Sequence, residues 1–294
     1  MIFRIRHRTR FAYDAPAYES HNELRLAPGD HADQRCLAFT LTTEPAAAVF
    51  EYGDAYGNRV HALSVHPPHE ALDIVAESVV ERVAPSSARA RDLSFAEFLG
   101  DDDARLQEYH EFLSPSVYIP HGPRLRRFFW QARPGATEGV GEYTDRLVAL
   151  VRDQFEYEAG KTDVHSTVED VLTTGGGVCQ DFAHLTIGLL RLAGVPARYV
   201  SGYLAPPSSD GTPREQTTHA WIDALLPGSG WTAFDPTHRG RTKLHHVRIG
   251  VGRDYADVTP VRGVYRSRGE TQTMGVNVRI EELESWPAPP ADEQ

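Results

Sequence analysis

Cysteines are scarce in this sequence, and their scarcity limits which folds and which cellular compartments are expected. Among 294 residues only Cys36 and Cys179 are cysteines, too few and too far apart to suggest a disulfide framework. Small disulfide-rich secreted scaffolds are therefore excluded, and a reducing compartment is expected. Charged residues from Arg4 onward leave no apolar segment for a secretory leader, so we predict a cytoplasmic protein.

Basic residues and long apolar runs are also lacking. Lys and Arg number 30 against 41 Asp and Glu, which gives a formal net charge of -11. Broad nucleic-acid binding needs a clustered excess of basic residues to neutralise phosphates, so we expect no nucleic-acid partner. No stretch reaches the roughly 18 apolar residues that a membrane-spanning helix requires, so we expect no membrane partner.

The first part of the chain alternates polar and apolar residues and predicts a β-rich domain over residues 1–85. Phe3 and Ile5 are separated by one polar residue, and the runs around Phe39, Val65 and Ile74 alternate in the same way. The basic positions at the start are interpreted as the solvated face of a strand rather than as a binding patch. These positions are Arg4, Arg6, Arg8 and Arg10.

The remaining chain predicts helices followed by a mixture of helices and strands, so the fold class is α+β. Prolines interrupt short helical segments over residues 86–135, which we interpret as a helical connector. Residues 136–282 form the predicted second domain. Its helices are expected over 138–155, 168–172 and 179–193, and its strands over 198–203, 218–226, 231–234 and 272–280. Residues 283–294 are rich in proline and acid and predict a frayed tail.

Cys179 follows a run of three glycines at the start of a predicted helix. A helix N-terminus favours the thiolate, because its free backbone N–H groups and its dipole stabilise negative charge. The neighbouring Gln180 and Asp181 are polar, whereas a cysteine that only filled the core would need no such setting. We interpret Cys179 as a nucleophile whose helix N–H groups could also bind an oxyanion, and Cys36 as a structural residue.

A base and an orienting carboxylate follow on two predicted strands. His219 lies near the start of the first strand, and Asp235 ends the second, where Pro236 stops it. If these strands are adjacent and antiparallel, Asp235 comes beside His219, where it can fix the tautomer and stabilise the imidazolium. Cysteine, histidine and aspartate in this order and these settings predict a Cys-His-Asp triad.

Four blocks of the sequence resemble the transglutaminase-like superfamily. They are GVCQDFAH at residues 177–184, PARYVSGY at 196–203, THAW at 218–221 and FDPT at 234–237. With its β-rich amino-terminal region, the chain is similar to the bacterial branch of transglutaminase-like cysteine proteases and amidases. This resemblance implies a papain-like transglutaminase core in which Cys179, His219 and Asp235 form the triad.

The function that the resemblance implies is an enzyme working through a thioester. We expect thiol-dependent acyl transfer or hydrolysis at an amide bond of a protein or peptide, with hydrolysis favoured. One alternative is a protein-glutamine gamma-glutamyltransferase, because the superfamily includes protein cross-linkers. The other is a non-catalytic binding module on the same fold.

Six further residues are candidates for lining a substrate cleft. Gln180, Asp181 and His184 lie near the start of the nucleophile helix, where Asp181 has an equally good interpretation as a helix cap. Tyr203 and Trp221 flank the triad strands, and for Trp221 core packing is the favoured role. The sixth candidate, at the oxyanion, is Tyr157.

No metal or cofactor is expected from the sequence. A set of Cys179, His184, His219 and Asp235 lacks the paired ligand spacing of structural zinc. The glycine run lacks the Lys-Ser/Thr ending of a phosphate loop, and no Asp-rich loop of the EF-hand type is present.

Overall fold

The computed structural model describes residues 1–84, 91–100, 107–205, 214–216 and 218–286. Two antiparallel sheets, a short parallel strand pair and a group of helices make up these residues, and most strands of the larger sheet come from the amino-terminal part of the chain. The predicted α+β class with a β-rich amino-terminal region is confirmed. Within the described residues, no helix has both the length and the apolar character of a membrane span.

The larger sheet is built around a 26-residue strand, β1 (Ile2–Ala27). Its first half lies between β5 (His69–Arg82) and β15 (Gln272–Leu283), and its second half lies between β4 (Arg59–Val65) and β14 (Val261–Ser267). The other members are β2 (Gln34–Glu44) beside β5, β3 (Val49–Gly53) beside β4, and β9 (Arg214–Gln216) beside β15.

Alternation in β1 separates a buried face from a solvated one, because successive side chains of a strand point to opposite faces. Phe3 and Ile5 are buried. The arginines at the alternate positions 4, 6, 8 and 10 are exposed, and Arg8 and Arg10 pair with Asp73 at 2.6 and 2.9 Å. Such exposed ion pairs contribute roughly 0–1 kcal/mol each, so the buried face contributes more to the stability of the sheet than these pairs do.

The smaller sheet has the strand order β12-β11-β10-β8-β13. Its strands are β8 (Ala197–Leu204), β10 (His219–Leu226), β11 (Gly230–Asp235), β12 (Gly240–Arg241) and β13 (His246–Gly252). Helix α5 (Cys179–Leu192) packs on this sheet and is buried on nearly all sides, as expected of a helix that is apolar around its circumference.

Shorter elements surround α5. They are α1 (Phe95–Leu99), a 3-10 turn (His110–Phe112), α2 (Pro123–Ala132), α3 (Val140–Gln154), α4 (Val168–Thr174), α6 (Tyr255–Val258) and a parallel pair of β6 (Glu156–Tyr157) with β7 (Gly176–Gly177). The described part of the predicted connector contains α1, the 3-10 turn and α2, together with irregular segments. Residues 86–90 and 101–106 of the connector, and residues 287–294 of the predicted tail, lie outside the described residues.

The carboxyl-terminal strands differ from the predicted domain division. Residues 136–282 are predicted as one domain, but β14 and β15 pair along β1 of the larger sheet. Alternation in residues 272–280 identifies a strand but not its neighbour, because the partner of a strand is set by packing far along the chain. The larger sheet therefore takes strands from both ends of the sequence.

The two sheets share a buried seam. Side chains from β1, β5 and β15 pack against side chains from β8 and β13 and the residue after β8, and the seam comprises Phe3, Ile5, Val80, Tyr203, Ala205, Val247, Ile249, Val278 and Ile280. The side-chain amide of Gln34 also joins the two sheets. It donates to the backbone carbonyl of Arg248 and accepts the backbone N–H of Arg248, each at 2.9 Å. The larger sheet thus supports β8 and β13 from behind.

Candidate active site

The three glycines before Cys179 shape the entry into α5. Gly175 ends α4 with φ of 74°, in the left-handed region that glycine adopts without a steric penalty. Gly177 lies against Asp181, and a Cβ at this position would come within 2.3 Å of the Asp181 Oδ2 atom. Cys179 is the first residue of the helix, as the glycine run predicts.

Asp181 caps α5 from within its first turn. Its Oδ2 atom accepts the Val178 backbone N–H at 2.8 Å and the Thr162 hydroxyl at 2.6 Å. Burial raises the pKa of the Asp181 carboxyl, although these two hydrogen bonds oppose the effect. Of the two interpretations of Asp181, helix capping is the one that its contacts support.

His219 and Asp235 meet across adjacent antiparallel strands. In the pairing of β10 with β11, Ile222 lies opposite Phe234, so the start of β10 runs beside the end of β11. The Nε2 atom of His219 donates to Asp235 Oδ2 at 2.8 Å, and both side chains are buried. The predicted strand pair therefore brings together the residues proposed as base and orienting carboxylate.

The Cys179 side chain is a near neighbour of the His219 imidazole and contributes to the pKa of that ring. Nε2 is engaged by Asp235, so Nδ1 is the ring nitrogen available to the sulfur. Burial lowers the pKa of His219, but the hydrogen bonds and charges of Asp235 and Cys179 outweigh it and raise the pKa to about 9. An imidazole with this pKa is protonated near neutral pH and stabilises a thiolate beside it.

Two histidines that the sequence did not single out also bind Asp235. His238 Nδ1 and His246 Nε2 each lie 2.9 Å from Asp235 Oδ2. Burial raises the pKa of Asp235, but hydrogen bonds from His219, His238 and His246 outweigh it and hold that pKa well below its usual range. His238 directly follows the block FDPT, a signal that could have found it. His246 has no local signal, because it arrives on β13.

Trp221 packs beside the triad. It is buried, with ring centroids 6.0 Å from His219 and 5.3 Å from His246. Gly202 of β8, opposite His219, makes this possible, because a Cβ there would come within 2.3 Å of the indole. The interpretation of Trp221 as a packing residue is the one that its contacts support.

Tyr157 lies next to the nucleophile. It is 45% exposed on β6, and its ring packs edge-to-face on Phe182 with centroids 5.8 Å apart. Burial, followed by the charge of the nearby Cys179, raises the pKa of Tyr157. The phenol therefore lies near the nucleophile that the sequence predicts. Gln180, on the same turn as Cys179, donates to the Val164 carbonyl at 3.2 Å.

The structure corrects the cleft prediction for His184 and Tyr203. His184 is 0% exposed, accepts the Tyr255 backbone N–H at 3.2 Å and stacks on Tyr118 at 5.2 Å, and burial lowers its pKa to about 3. Tyr203 lies in the seam between the sheets, where its hydroxyl hydrogen-bonds with His7 Nδ1 at 2.9 Å. Both side chains therefore belong to the core.

Asp223, on the same strand as His219, pairs with two arginines. Arg248 donates to its two oxygens at 2.6 and 2.8 Å, and Arg198 donates to Oδ2 at 3.0 Å. Of these two carboxylates, Asp235 is thus the one that hydrogen-bonds with His219. A thiol at a helix start, a protonated imidazole beside it and an ionised carboxylate behind the imidazole are the groups needed for nucleophilic acyl chemistry.

Two family models match the chain. Residues 3–81 match the bacterial transglutaminase-like N-terminal region, and residues 131–236 match the transglutaminase-like superfamily. The second match spans Cys179, His219 and Asp235.

Similar proteins cover different shares of the chain. An uncharacterised protein of Mycobacterium leprae is 36% identical over 288 residues, covering 95% of this chain and 98% of that protein. A protein-glutamine gamma-glutamyltransferase of Pseudomonas aeruginosa is 36% identical over 104 residues, covering 32% of this chain and 16% of that protein. The crystal structure of a candidate cysteine protease from Cytophaga hutchinsonii is 22% identical with a TM-score of 0.75, covering 100% of this chain and 94% of that one. At that identity the likeness concerns the fold alone.

Proposed function

The chain belongs to the transglutaminase-like superfamily, and from this premise we propose that it is an enzyme that transfers or hydrolyses acyl groups at amide bonds. The nucleophile is Cys179, the acid and base is His219, and Asp235 orients the imidazole. The observation that supports this most directly is the position of His219 between the thiol and the carboxylate, with Nε2 2.8 Å from Asp235 Oδ2. The proposed substrate is a protein or peptide.

In the first half-reaction the Cys179 thiolate attacks the carbonyl carbon of the amide. Negative charge develops on the carbonyl oxygen, where the Cys179 backbone N–H and the Tyr157 hydroxyl are the candidate donors. Collapse of the tetrahedral intermediate breaks the C–N bond, and the His219 imidazolium gives its proton to the leaving amine. A thioester remains on Cys179.

In the second half-reaction the neutral His219 accepts a proton from water as the water attacks the thioester carbon. The C–S bond breaks, the carboxylic acid departs, and the thiolate and imidazolium are restored. An amine in place of water would give a new amide. Water is the proposed acceptor, because an amine must be bound and oriented at the thioester to compete with the solvent.

Trapping the acyl-enzyme tests the proposal. The chain is incubated with a peptide library, quenched in acid, and Cys179 is examined by mass spectrometry for the added acyl group. Cys179→Ala is expected to keep its circular dichroism spectrum and to form no adduct, whereas the matched variant Cys36→Ala forms the adduct as the parent does. Adduct formation or full activity in a folded Cys179→Ala variant would overturn the assignment.

The acceptor is tested with a glutamine-containing protein and a labelled primary amine. Hydrolysis is expected to outrun amine incorporation. Efficient incorporation of the amine would instead assign a cross-linking transglutaminase.

Alkylation separates an enzyme from a binding module on the same fold. Iodoacetamide is expected to modify Cys179 at a pH where free cysteine reacts slowly, because an activated thiol is ionised there. Cys36 is the internal reference, since burial raises the pKa of its thiol. If the two cysteines react equally slowly, the chain is a binding module.

A further inference from the structure

We propose that Asp235 and two of the histidines around it form an inhibitory site for a divalent transition-metal ion such as Zn²⁺. His219, Asp235 and His238 each offer one ligand atom, and these atoms all lie within 4.8 Å of one another. The atoms proposed as ligands are His219 Nε2, Asp235 Oδ2 and His238 Nδ1. Imidazole nitrogen and carboxylate oxygen are both ligands that zinc accepts, and three protein ligands leave a fourth position for water. A metal held there would stop the proposed catalysis.

The ligand atoms already lie close to the spacing that an ion requires. The nitrogens of His219 and His238 are 2.8 and 2.9 Å from Asp235 Oδ2. Tetrahedral zinc with bonds near 2.1 Å holds neighbouring ligand atoms about 3.4 Å apart. Entry of the ion therefore needs about 0.5 to 0.6 Å of widening between the carboxylate oxygen and each imidazole nitrogen.

His238 makes the site accessible from solvent. Its side chain is 54% exposed, whereas that of Asp235 is 2% exposed. An incoming ion meets His238 first, because it is the most exposed of the three ligands. The sequence-based set for a metal site included Cys179 and His184 and omitted His238, so it did not describe this cluster.

Hydrogen bonds behind the ligands hold the carboxylate in place, as outer partners do at metal sites. The other oxygen of Asp235, Oδ1, accepts the backbone N–H groups of Thr237 and His238 at 2.8 and 3.2 Å. His246 Nδ1 accepts the Lys243 N–H at 3.2 Å, so its proton is on Nε2, from which it donates to Oδ2 at 2.9 Å. His246 is therefore an orienting donor rather than a ligand.

Binding changes the protonation of both ligand imidazoles. The Nε2 proton of His219 passes to solvent, and the proton of His238 moves from Nδ1 to Nε2 through exchange with water. His219 keeps one proton, on Nδ1, but a metal-bound neutral imidazole cannot give that proton to a leaving amine without becoming an imidazolate. The acid step is thereby lost, which makes the metal an inhibitor.

The test measures binding in Cys179→Ala, because a thiol beside an imidazole can itself bind zinc. Titration calorimetry with Zn²⁺, and absorption in the visible d–d bands with Co²⁺, are expected to show one ion per chain. Adding His238→Gln is expected to weaken binding about tenfold or more. Adding His66→Gln, at an exposed histidine that directly follows β4, is expected to leave the affinity unchanged.

Two outcomes would overturn the proposal. In the first, Zn²⁺ binding disappears in Cys179→Ala although His238 is present, which places the ion on the thiol. In the second, the variant carrying His238→Gln binds Zn²⁺ as tightly as its parent. Because binding is measured in a chain without the nucleophile, a failure of the proposed catalysis leaves this result interpretable.

Discussion

Asp235 is shared among three imidazoles, and this sharing shapes what each residue of the site can do. His238 and His246 contact the same carboxylate oxygen, Oδ2, as His219, the proposed acid and base. An ionised carboxylate accepts hydrogen bonds and donates none, so each of these nitrogens must carry a proton toward it. His219 is thereby fixed with Nε2 toward Asp235 and Nδ1 toward Cys179.

Asp235→Asn is expected to lower kcat/KM by about 10- to 1000-fold. The same change in a serine triad costs roughly 10⁴, and the smaller loss is expected because a thiol is more acidic than a hydroxyl. The pKa of His219, about 9, depends on Asp235, so the basic limb of the rate profile should move to lower pH. Measurement of kcat/KM and Cys179 alkylation against pH checks both effects.

The matched control for that substitution is Asp73→Asn. Asp73 pairs with Arg8 and Arg10 on the solvated face of the larger sheet. Its replacement should leave both pH profiles as they are. If the Asp235→Asn profiles also overlay those of the parent, Asp235 has only a structural role at the end of β11.

The raised pKa of His219 should make the free energy of unfolding depend on pH. Its pKa rises from 6.5 to about 9 on folding, so its stabilisation is fully present below pH 6.5 and is lost as the pH rises through about 9. A rise of this size corresponds to about 3 kcal/mol. Urea denaturation of the parent and His219→Gln, at about pH 6 and about pH 10, should show their difference in unfolding free energy shrink by that amount. A constant difference would mean that the imidazolium is not stabilised in the folded chain.

The start of α5 is the element on which the nucleophile depends. Gly177→Ala is expected to force Asp181 away from the Val178 N–H, because the new Cβ would lie within 2.3 Å of Asp181 Oδ2. Overpacking of this kind costs about 1–3 kcal/mol. Thermal denaturation and the rate of Cys179 alkylation should both decrease. Gly53→Ala, where a Cβ meets nothing within 4 Å, is the matched control, and equal effects of the two variants would contradict this role of Gly177.

Local elements of the site could be predicted because their signals are local. A glycine run before a polar-flanked cysteine marks the start of α5, and Pro227 to Gly230 marks the turn that sets β10 against β11. For the two residues wrongly assigned to the cleft, His184 and Tyr203, the position on the helix or strand already indicated a side chain that points away from the site. His184 lies five residues after Cys179, about 140° around the helix. Tyr203 follows Gly202, which lies opposite His219, so its side chain points to the other face of β8.

Pairings between distant segments could not be predicted in this way. His246 reaches Asp235 because β13 lies beside β8, and no pattern near residue 246 indicates that neighbour. The same holds for β15, whose alternation fits a strand in either sheet. Only the buried seam, with Val278 against side chains of β1 and β8, selects the larger sheet.

At the scale of the whole molecule, the seam makes the larger sheet part of the support of the active site. The two sheets meet through β1 and β15 on one side and β8 and β13 on the other. β8 carries Gly202, which leaves space for Trp221 beside His219, and β13 carries His246. A substitution that destabilises the larger sheet should therefore also affect the triad, because β8 and β13 connect the two.

Val278→Ala tests whether the larger sheet and the catalytic part of the chain unfold together. Val278 is 0% exposed in the seam, whereas Val276, on the same strand and facing the same side, is 42% exposed. Loss of the buried methyl groups should cost about 2 kcal/mol, and in a chain of this size it should lower the melting temperature by about 5 °C. Val276→Ala should change it by less than about 1 °C. Because the seam supports β8 and β13, the temperature at which activity is lost should fall together with the melting temperature followed by far-ultraviolet circular dichroism. If Val278→Ala lowers the midpoint of the β signal but leaves the temperature of activity loss unchanged, the catalytic unit folds independently of the sheet that takes strands from both ends of the chain.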